Sequence, residues 1–324
     1  MSQVEEILQV RVQSITFEAE GILSYELRPV APRRELPAFS PGAHVDLHLS
    51  NGLIRSYSLF NSQEQGGCYR VAVNLDANSR GGSRFMHSSV GAGDILTIGL
   101  PRNNFPLYEE AEHTVLIAGG IGITPLFAML KRLEALGRRW TLYYSTRSRK
   151  NTAFIKELEA VNAQSSHGRV VFHFDQESAG GFLNFSDIVA SQAASTHFYC
   201  CGPLPMLEAF EAATADLPDD CVHVEYFAAK ESADTSGGFT VELARSGKSF
   251  YVPAGKTILD VLIEGGQQPL YSCQEGICGT CEVAVLEGEP DHRDLVLSAK
   301  QQREGHSMMI CCSGCRGERL VLDL

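Results

Sequence analysis

Four cysteines in the last sixth of the chain constrain it more than any other feature. Cys273, Cys278 and Cys281 fall as C-x4-C-x2-C, and Cys311 follows further on. Their sulfurs must meet around one small inorganic core. That dictates a tight loop carrying three ligands, closed by a fourth from elsewhere in the same domain. The spacing is that of a plant-type [2Fe–2S] centre, in which each tetrahedral iron takes two thiolates besides the bridging sulfides. Four-cysteine zinc sites use paired C-x2-C hooks, and here only Cys278 and Cys281 form one. Cys312 competes with Cys311 as fourth ligand, but the spacing favours Cys311; Cys315 reads as a bystander thiol. Gly276 and Gly279 lie between the loop ligands, where missing side chains let backbone N–H groups point at the sulfurs.

A chain of 324 residues predicts two or three domains, and 44% hydrophobic residues suffice for ordinary cores. The formal net charge of −12 argues against nucleic acid and anionic membrane surfaces as partners and permits a partner with a basic docking patch. No apolar run approaches a membrane span, and MSQVEEILQV lacks the basic and apolar regions of a signal peptide. The expected location is cytoplasmic, where clustered thiols act as metal ligands rather than disulfides.

Residues 1–106 read as an antiparallel β-barrel. In His44–Ser50, Val45, Leu47 and Leu49 alternate with His44, Asp46 and His48, the period of a half-buried strand, and turns such as Asn51-Gly52 separate similar runs. From 107 to 228 strands and helices alternate, which implies a parallel α/β sheet. The polar stretch 229–238 reads as a linker with a reach of at most about 35 Å. Residues 239–324 read as an α+β domain around the cysteine loop.

Three further motifs point to cofactors. Arg55-Ser56-Tyr57-Ser58 places a cation, an aromatic ring and hydroxyls on one strand, the donors that a non-covalent flavin needs. Arg80-Gly81-Gly82-Ser83 adds a Gly-rich turn able to hold a phosphate, above all where Ser83 opens a helix. Gly119-Gly120-Ile121-Gly122-Ile123-Thr124-Pro125 follows a buried-strand run and opens a helix, the context of a dinucleotide pyrophosphate site, although its spacing is not G-x-G-x-x-G. At the end of a later strand, Cys200-Cys201-Gly202-Pro203 places Cys201 toward the ligand crevice and Cys200 in the core.

Taken in this order, with an aromatic after the last α/β strand, these motifs resemble the phthalate dioxygenase reductase family, which includes the vanillate O-demethylase reductases. The resemblance covers essentially the whole chain. It implies FMN held by Arg55, Ser56, Tyr57 and Ser58, with Ala72, Val73 and Asn74 along the flavin edge and Arg80, Gly81, Gly82 and Ser83 on its phosphate. It places Thr124 near flavin N5 and Phe227 on the ring system, and gives Thr124, Cys201 and Phe227 the positions nearest the chemistry. Gly119, Gly120 and Gly122 hold the nicotinamide cofactor's pyrophosphate, Cys201, Gly202 and Pro203 flank the nicotinamide, and Ser145, Thr146 and Arg147 lie on its adenosine side. The family often has Lys where Asn74 stands, and many relatives in the wider superfamily use FAD. The C-terminal domain becomes a β-grasp-like plant-type ferredoxin. The implied activity is electron transfer from NADH through FMN and the cluster to a terminal Rieske-type non-haem iron oxygenase acting on an aromatic acid; a cytochrome P450 is the alternative acceptor. The expected contact is transient and the expected state a monomer. Ser145-Thr146-Arg147-Ser148-Arg149-Lys150 contains no acid for the 2′-hydroxyl of NAD, so NADPH stays open.

Overall fold

The computed structural model describes residues 6–31, 35–77, 79–177 and 181–324. They form two compact units, Glu6–Phe227 and Ala228–Leu324.

The first unit opens with β1 (Ile7–Ala19), β2 (Ile22–Pro29), β3 (His44–His48), β4 (Ile54–Ser58), β5 (Tyr69–Asn74), the helix α1 (Gly82–Ser89) and β6 (Ile95–Gly99). The strands pair antiparallel in the order β4-β3-β6-β1-β2-β5, and a bridge from Leu59 to Val71 joins the two edges into a barrel. Its interior is filled by every second residue, among them Val10, Val12, Tyr25, Leu27, Val45, Leu47, Val71 and Val73. Helix α1 departs from the all-strand reading of this region. It is short, and Phe85 and Met86 are its main apolar residues, so its periodicity is faint in the sequence.

The expectation of a half-exposed strand at His44–Leu49 is corrected. His44 and Asp46 are as buried as Val45 and Leu47. Asp46 is satisfied internally, accepting from Ser56 Oγ at 2.6 Å and from the Arg102 guanidinium at 2.6 Å. Burial raises the Asp46 carboxyl, but Arg102 and Ser56 outweigh it and hold the group below the usual carboxylate range.

The α/β part comprises β7 (His113–Gly119), α2 (Ile123–Leu136), β8 (Arg139–Thr146), α3 (Ile155–Gln164), β9 (Gly168–Phe174), α4 (Phe185–Ala190), β10 (Thr196–Cys201), α5 (Leu204–Thr214) and β11 (Val222–Glu225). The sheet is parallel in the order β11-β10-β7-β8-β9. Leu116 and Ala118 pack with α2 and the barrel residues Phe60, Ala72 and Phe105, while Val115, Ile117 and Cys200 pack with α4 and α5. Burial on both faces explains why β7 is a continuous apolar run. Gly137 closes α2 in the left-handed region, φ 65°, and its N–H donates to Glu134 O, as its position predicts. Lys131 on α2 donates to Phe60 O at 2.9 Å and lies 3.7 Å from the Phe127 ring centroid, which ties the barrel to the sheet.

The second unit comprises β12 (Phe239–Leu243), β13 (Lys248–Val252), α6 (Ile258–Glu264), β14 (Glu282–Glu287), β15 (Pro290–Asp291), α7 (Ala299–Glu304), β16 (Ser307–Met309), β17 (Gly314–Cys315) and β18 (Arg319–Leu322). A mixed sheet, β13-β12-β18-β14-β16, packs on α6. Part of the stretch read as a linker is fixed to this unit. Asp234 N–H donates to Cys312 O at 2.7 Å, Thr235 O accepts from Gly255 N, and Glu231 pairs with Arg293 at 3.0 Å. Among the described residues no helix is long and apolar enough to cross a membrane.

Candidate cofactor sites

On β4 side chains alternate, so Arg55 and Tyr57 face one way and Ser56 and Ser58 the other. Arg55 lies along the start of α1. Its guanidinium donates to Arg80 O at 3.3 Å, and a Cβ on Gly82 would fall 2.6 Å from Arg55 Cγ. Gly81 enters the helix at φ 97° with no side chain capping the first turn. A guanidinium against uncapped helical N–H groups is a phosphate-binding arrangement, and it fits the phosphate of FMN. Ser83 hydroxyl accepts from Asp76 N–H at 3.3 Å, beside the same turn. Tyr57 is partly buried against the barrel core, and burial raises its phenol well above the ordinary value. Ser56 stands apart from this group, because its hydroxyl is directed to Asp46. Ala72 and Val73 are buried near the end of β5, and Asn74 is exposed.

The dinucleotide motifs converge at the carboxyl ends of the parallel strands. Strand order reverses between β7 and β10, and Gly119–Gly122 and Cys201–Pro203 meet at that switch point. A Cβ on Gly119 would fall 2.5 Å from Met206 Sδ and 2.6 Å from Pro203 Cδ; one on Gly122 would fall 2.2 Å from Cys201 O. These two glycines are therefore required by the packing of the two loops on each other. Gly120 differs: its φ is +54° and open space lies where a Cβ would point. Thr124 is buried, and its hydroxyl donates to Ile121 O at 3.0 Å, inside the first turn of α2. Cys201 is fully buried, and burial first, then Glu225, pushes its thiol well above the ordinary range, so it is no nucleophile. Phe227 lies beyond β11 and is 37% exposed.

Two residues at this end of the sheet escaped the sequence reading. Glu225 is in register with Cys201, and burial raises its carboxyl to about 8. Its Oε2 is without a hydrogen-bond partner among the described residues. Asp175 leaves β9 beside Ser145, whose hydroxyl donates to its carboxylate at 3.2 Å. The only signal for either was an acid at a strand end, which single-strand periodicity does not rank.

In the C-terminal unit the four ligand cysteines are buried together. Cys273 is hydrogen-bonded through sulfur to Cys278 and to Cys311, and Cys281 to Cys311. Cys312 sulfur contacts Cys311, Met309 O and the Ser313 hydroxyl, whereas Cys311 is bonded to both Cys273 and Cys281, an arrangement that fits Cys311 as the fourth ligand. Through these contacts the sulfurs of Cys278, Cys273, Cys311 and Cys281 form one connected group. Backbone donors reach them as expected: Gly276 N–H to Cys311, and Glu275 N–H to Cys273 at 3.3 Å. Gly276 has φ +69°, and a Cβ there would fall 2.5 Å from Cys312 Sγ, so the loop closes only around glycine. The residues present fit a [2Fe–2S] cluster.

Comparison with known proteins agrees with this geometry. The oxidoreductase NAD-binding domain family matches residues 116–212, and the 2Fe-2S iron-sulfur cluster binding domain family matches 241–316. The chain is 49% identical to the phenoxybenzoate dioxygenase subunit beta of Ectopseudomonas oleovorans, covering 98% of this chain and 97% of that one. It is 38% identical to the phthalate dioxygenase reductase of Burkholderia cepacia, covering 99% of each. A solved structure of phthalate dioxygenase reductase, described as a modular structure for electron transfer from pyridine nucleotides to [2Fe–2S], superposes with a TM-score of 0.73 at 37% identity over 98% of both chains. With a flavin cradle, a dinucleotide crevice and a two-iron cysteine loop in one polypeptide, this chain belongs to the phthalate dioxygenase reductase family of FMN-, NAD- and [2Fe–2S]-binding oxidoreductases.

Proposed function

We propose that this chain takes hydride from NADH and passes electrons singly to the terminal component of a Rieske-type oxygenase acting on an aromatic acid. The observation that carries the reading is the gathering of four cysteine sulfurs at plant-type ferredoxin spacing in the same chain as a flavin phosphate cradle. Bound FMN supplies the conversion of an electron pair into single electrons, and the cluster carries them onward.

The chain's own residues bind and orient. Arg55, Gly81, Gly82 and Ser83 hold the flavin phosphate, with Arg80 at the same turn. Tyr57, Ser58, Ala72, Val73 and Asn74 would line the flavin, and Phe227 would stack on its ring system. Gly120 and Pro203 admit the pyrophosphate, and the buried Cys201, with the partly buried Glu225 beside it, keeps water from the nicotinamide end of the crevice. Thr124 acts by holding the turn after β7 rather than through a free hydroxyl. No side chain is needed as acid or base, because hydride transfer depends on ring placement. The flavin domain extends to residue 106, the nucleotide domain over 107–228 and the ferredoxin domain over 239–324. The chain acts as a monomer and meets its oxygenase transiently.

Cys278→Ser tests the electron path. Cytochrome c reduction by NADH should fall by roughly two orders of magnitude, while ferricyanide reduction straight from the flavin should stay within about twofold of wild type. Equal loss of both, in protein with unchanged flavin content, removes the flavin-to-cluster order.

A further inference from the structure

The basic run after β8 suggests a site for a 2′-phosphate when read along the sequence alone. Tertiary structure neutralises most of it. Arg149 Nε lies 3.3 Å from Glu177, and its guanidinium sits 4.5 Å from the Phe174 ring centroid. Lys150 Nζ lies 3.0 Å from Glu20, which comes from the turn between β1 and β2. Both cations are therefore engaged by acids distant in sequence.

A third acid enters the same place. Phe174 is in register with Thr146, so the residue after it reaches the level of Arg147 at the carboxyl end of β8. That residue is Asp175. Its N–H donates to Thr146 O at 3.0 Å, and the next N–H, that of Gln176, donates to Arg147 O at 3.0 Å, which fixes its backbone. Ser145 Oγ donates to Asp175 Oδ1 at 3.2 Å, and His173 Nε2 lies 3.6 Å from the same oxygen while contacting Gly181 O. The Asp175 side chain keeps 31% of its surface open, so the carboxylate is held in position and still accessible.

In dinucleotide-binding sheets an acid beyond the second strand accepts the adenosine ribose 2′-hydroxyl. Here the second strand has none and the third supplies it. We propose that Asp175, positioned by Ser145, is the residue that selects NADH over NADPH. The carboxylate accepts a hydrogen bond from the 2′-hydroxyl, and it repels a 2′-phosphate at the same distance. The proposal rests on the NADH reading above and deepens it.

The test uses the loaded full-length protein with ferricyanide as acceptor, comparing kcat/KM for NADH and NADPH in wild type, Asp175→Asn and Asp175→Ala. Wild type should favour NADH by about a hundredfold or more, and both variants should lower that ratio at least about tenfold, through KM rather than kcat. Calorimetry with 2′,5′-ADP and 5′-AMP gives a readout independent of turnover: Asp175→Asn should gain affinity for 2′,5′-ADP relative to 5′-AMP. An unchanged ratio in correctly folded, flavin-loaded variants of an NADH-selective wild type overturns the role of Asp175 and leaves the electron-transfer reading intact. A wild type that prefers NADPH, or reduces flavin with neither nucleotide, overturns the NADH reading and this proposal with it.

Discussion

Glu225 is partly buried and Asp46 fully so, and their surroundings set opposite fates for the two carboxyls. Asp46 has a guanidinium and a hydroxyl and stays ionised. Glu225 has neither, and burial alone raises it to about 8 from the model-compound value of 4.5. The sign of its effect on stability follows. The folded state prefers the neutral acid and the unfolded state ionises earlier. The stabilising contribution is therefore complete below about pH 4.5 and is lost as pH rises toward 8, by up to about 1.4 kcal/mol per pH unit. Glu225→Gln should flatten the fall of unfolding free energy between pH 5 and pH 8 in urea titrations; parallel curves for the two proteins would refute the assigned burial. Neither fate is legible in one sequence, because each acid is part of an unremarkable strand and its partners come from elsewhere.

At the scale of elements, glycines separate two uses that a motif conflates. Gly82 makes room for a flexible side chain, Arg55, whereas Gly122 makes room for backbone, the Cys201 carbonyl. Gly82→Ala should fold normally and bind FMN about tenfold more weakly, since a charge-assisted contact to phosphate is displaced. Gly122→Ala should instead destabilise the fold by about 3 kcal/mol, because backbone on both sides must shift. Flavin titration of the apoprotein and thermal unfolding distinguish the two. Strand β7, helix α2 and its Gly137 cap were legible because their periodicity and caps are local. The short helices α4 and α7 were not read, although Asn184 and Ser298 carry N-terminal caps. With six residues each, they bury too little for a period to emerge.

For the whole molecule, a net charge of −12 acts on encounter rather than on fold. Turnover with a protein acceptor that presents a basic patch should fall severalfold to about tenfold from low to high ionic strength. Ferricyanide, itself an anion, should react slightly faster as salt screens the repulsion. A protein-acceptor rate that is flat with salt would show that charge does not guide this encounter. The order of the nucleotide and ferredoxin parts and the three-cysteine loop were legible in the sequence, because local spacing and periodicity encode them: three sulfurs on one short loop admit few geometries, and strands declare themselves by alternation. Tertiary structure alone decided that Asp46 is buried and paired with Arg102. It also brought acids from β9 and the β1–β2 turn to the basic run after β8. Those outcomes depend on which strands lie side by side, and register between distant segments is a property of the packed chain rather than of any window of it.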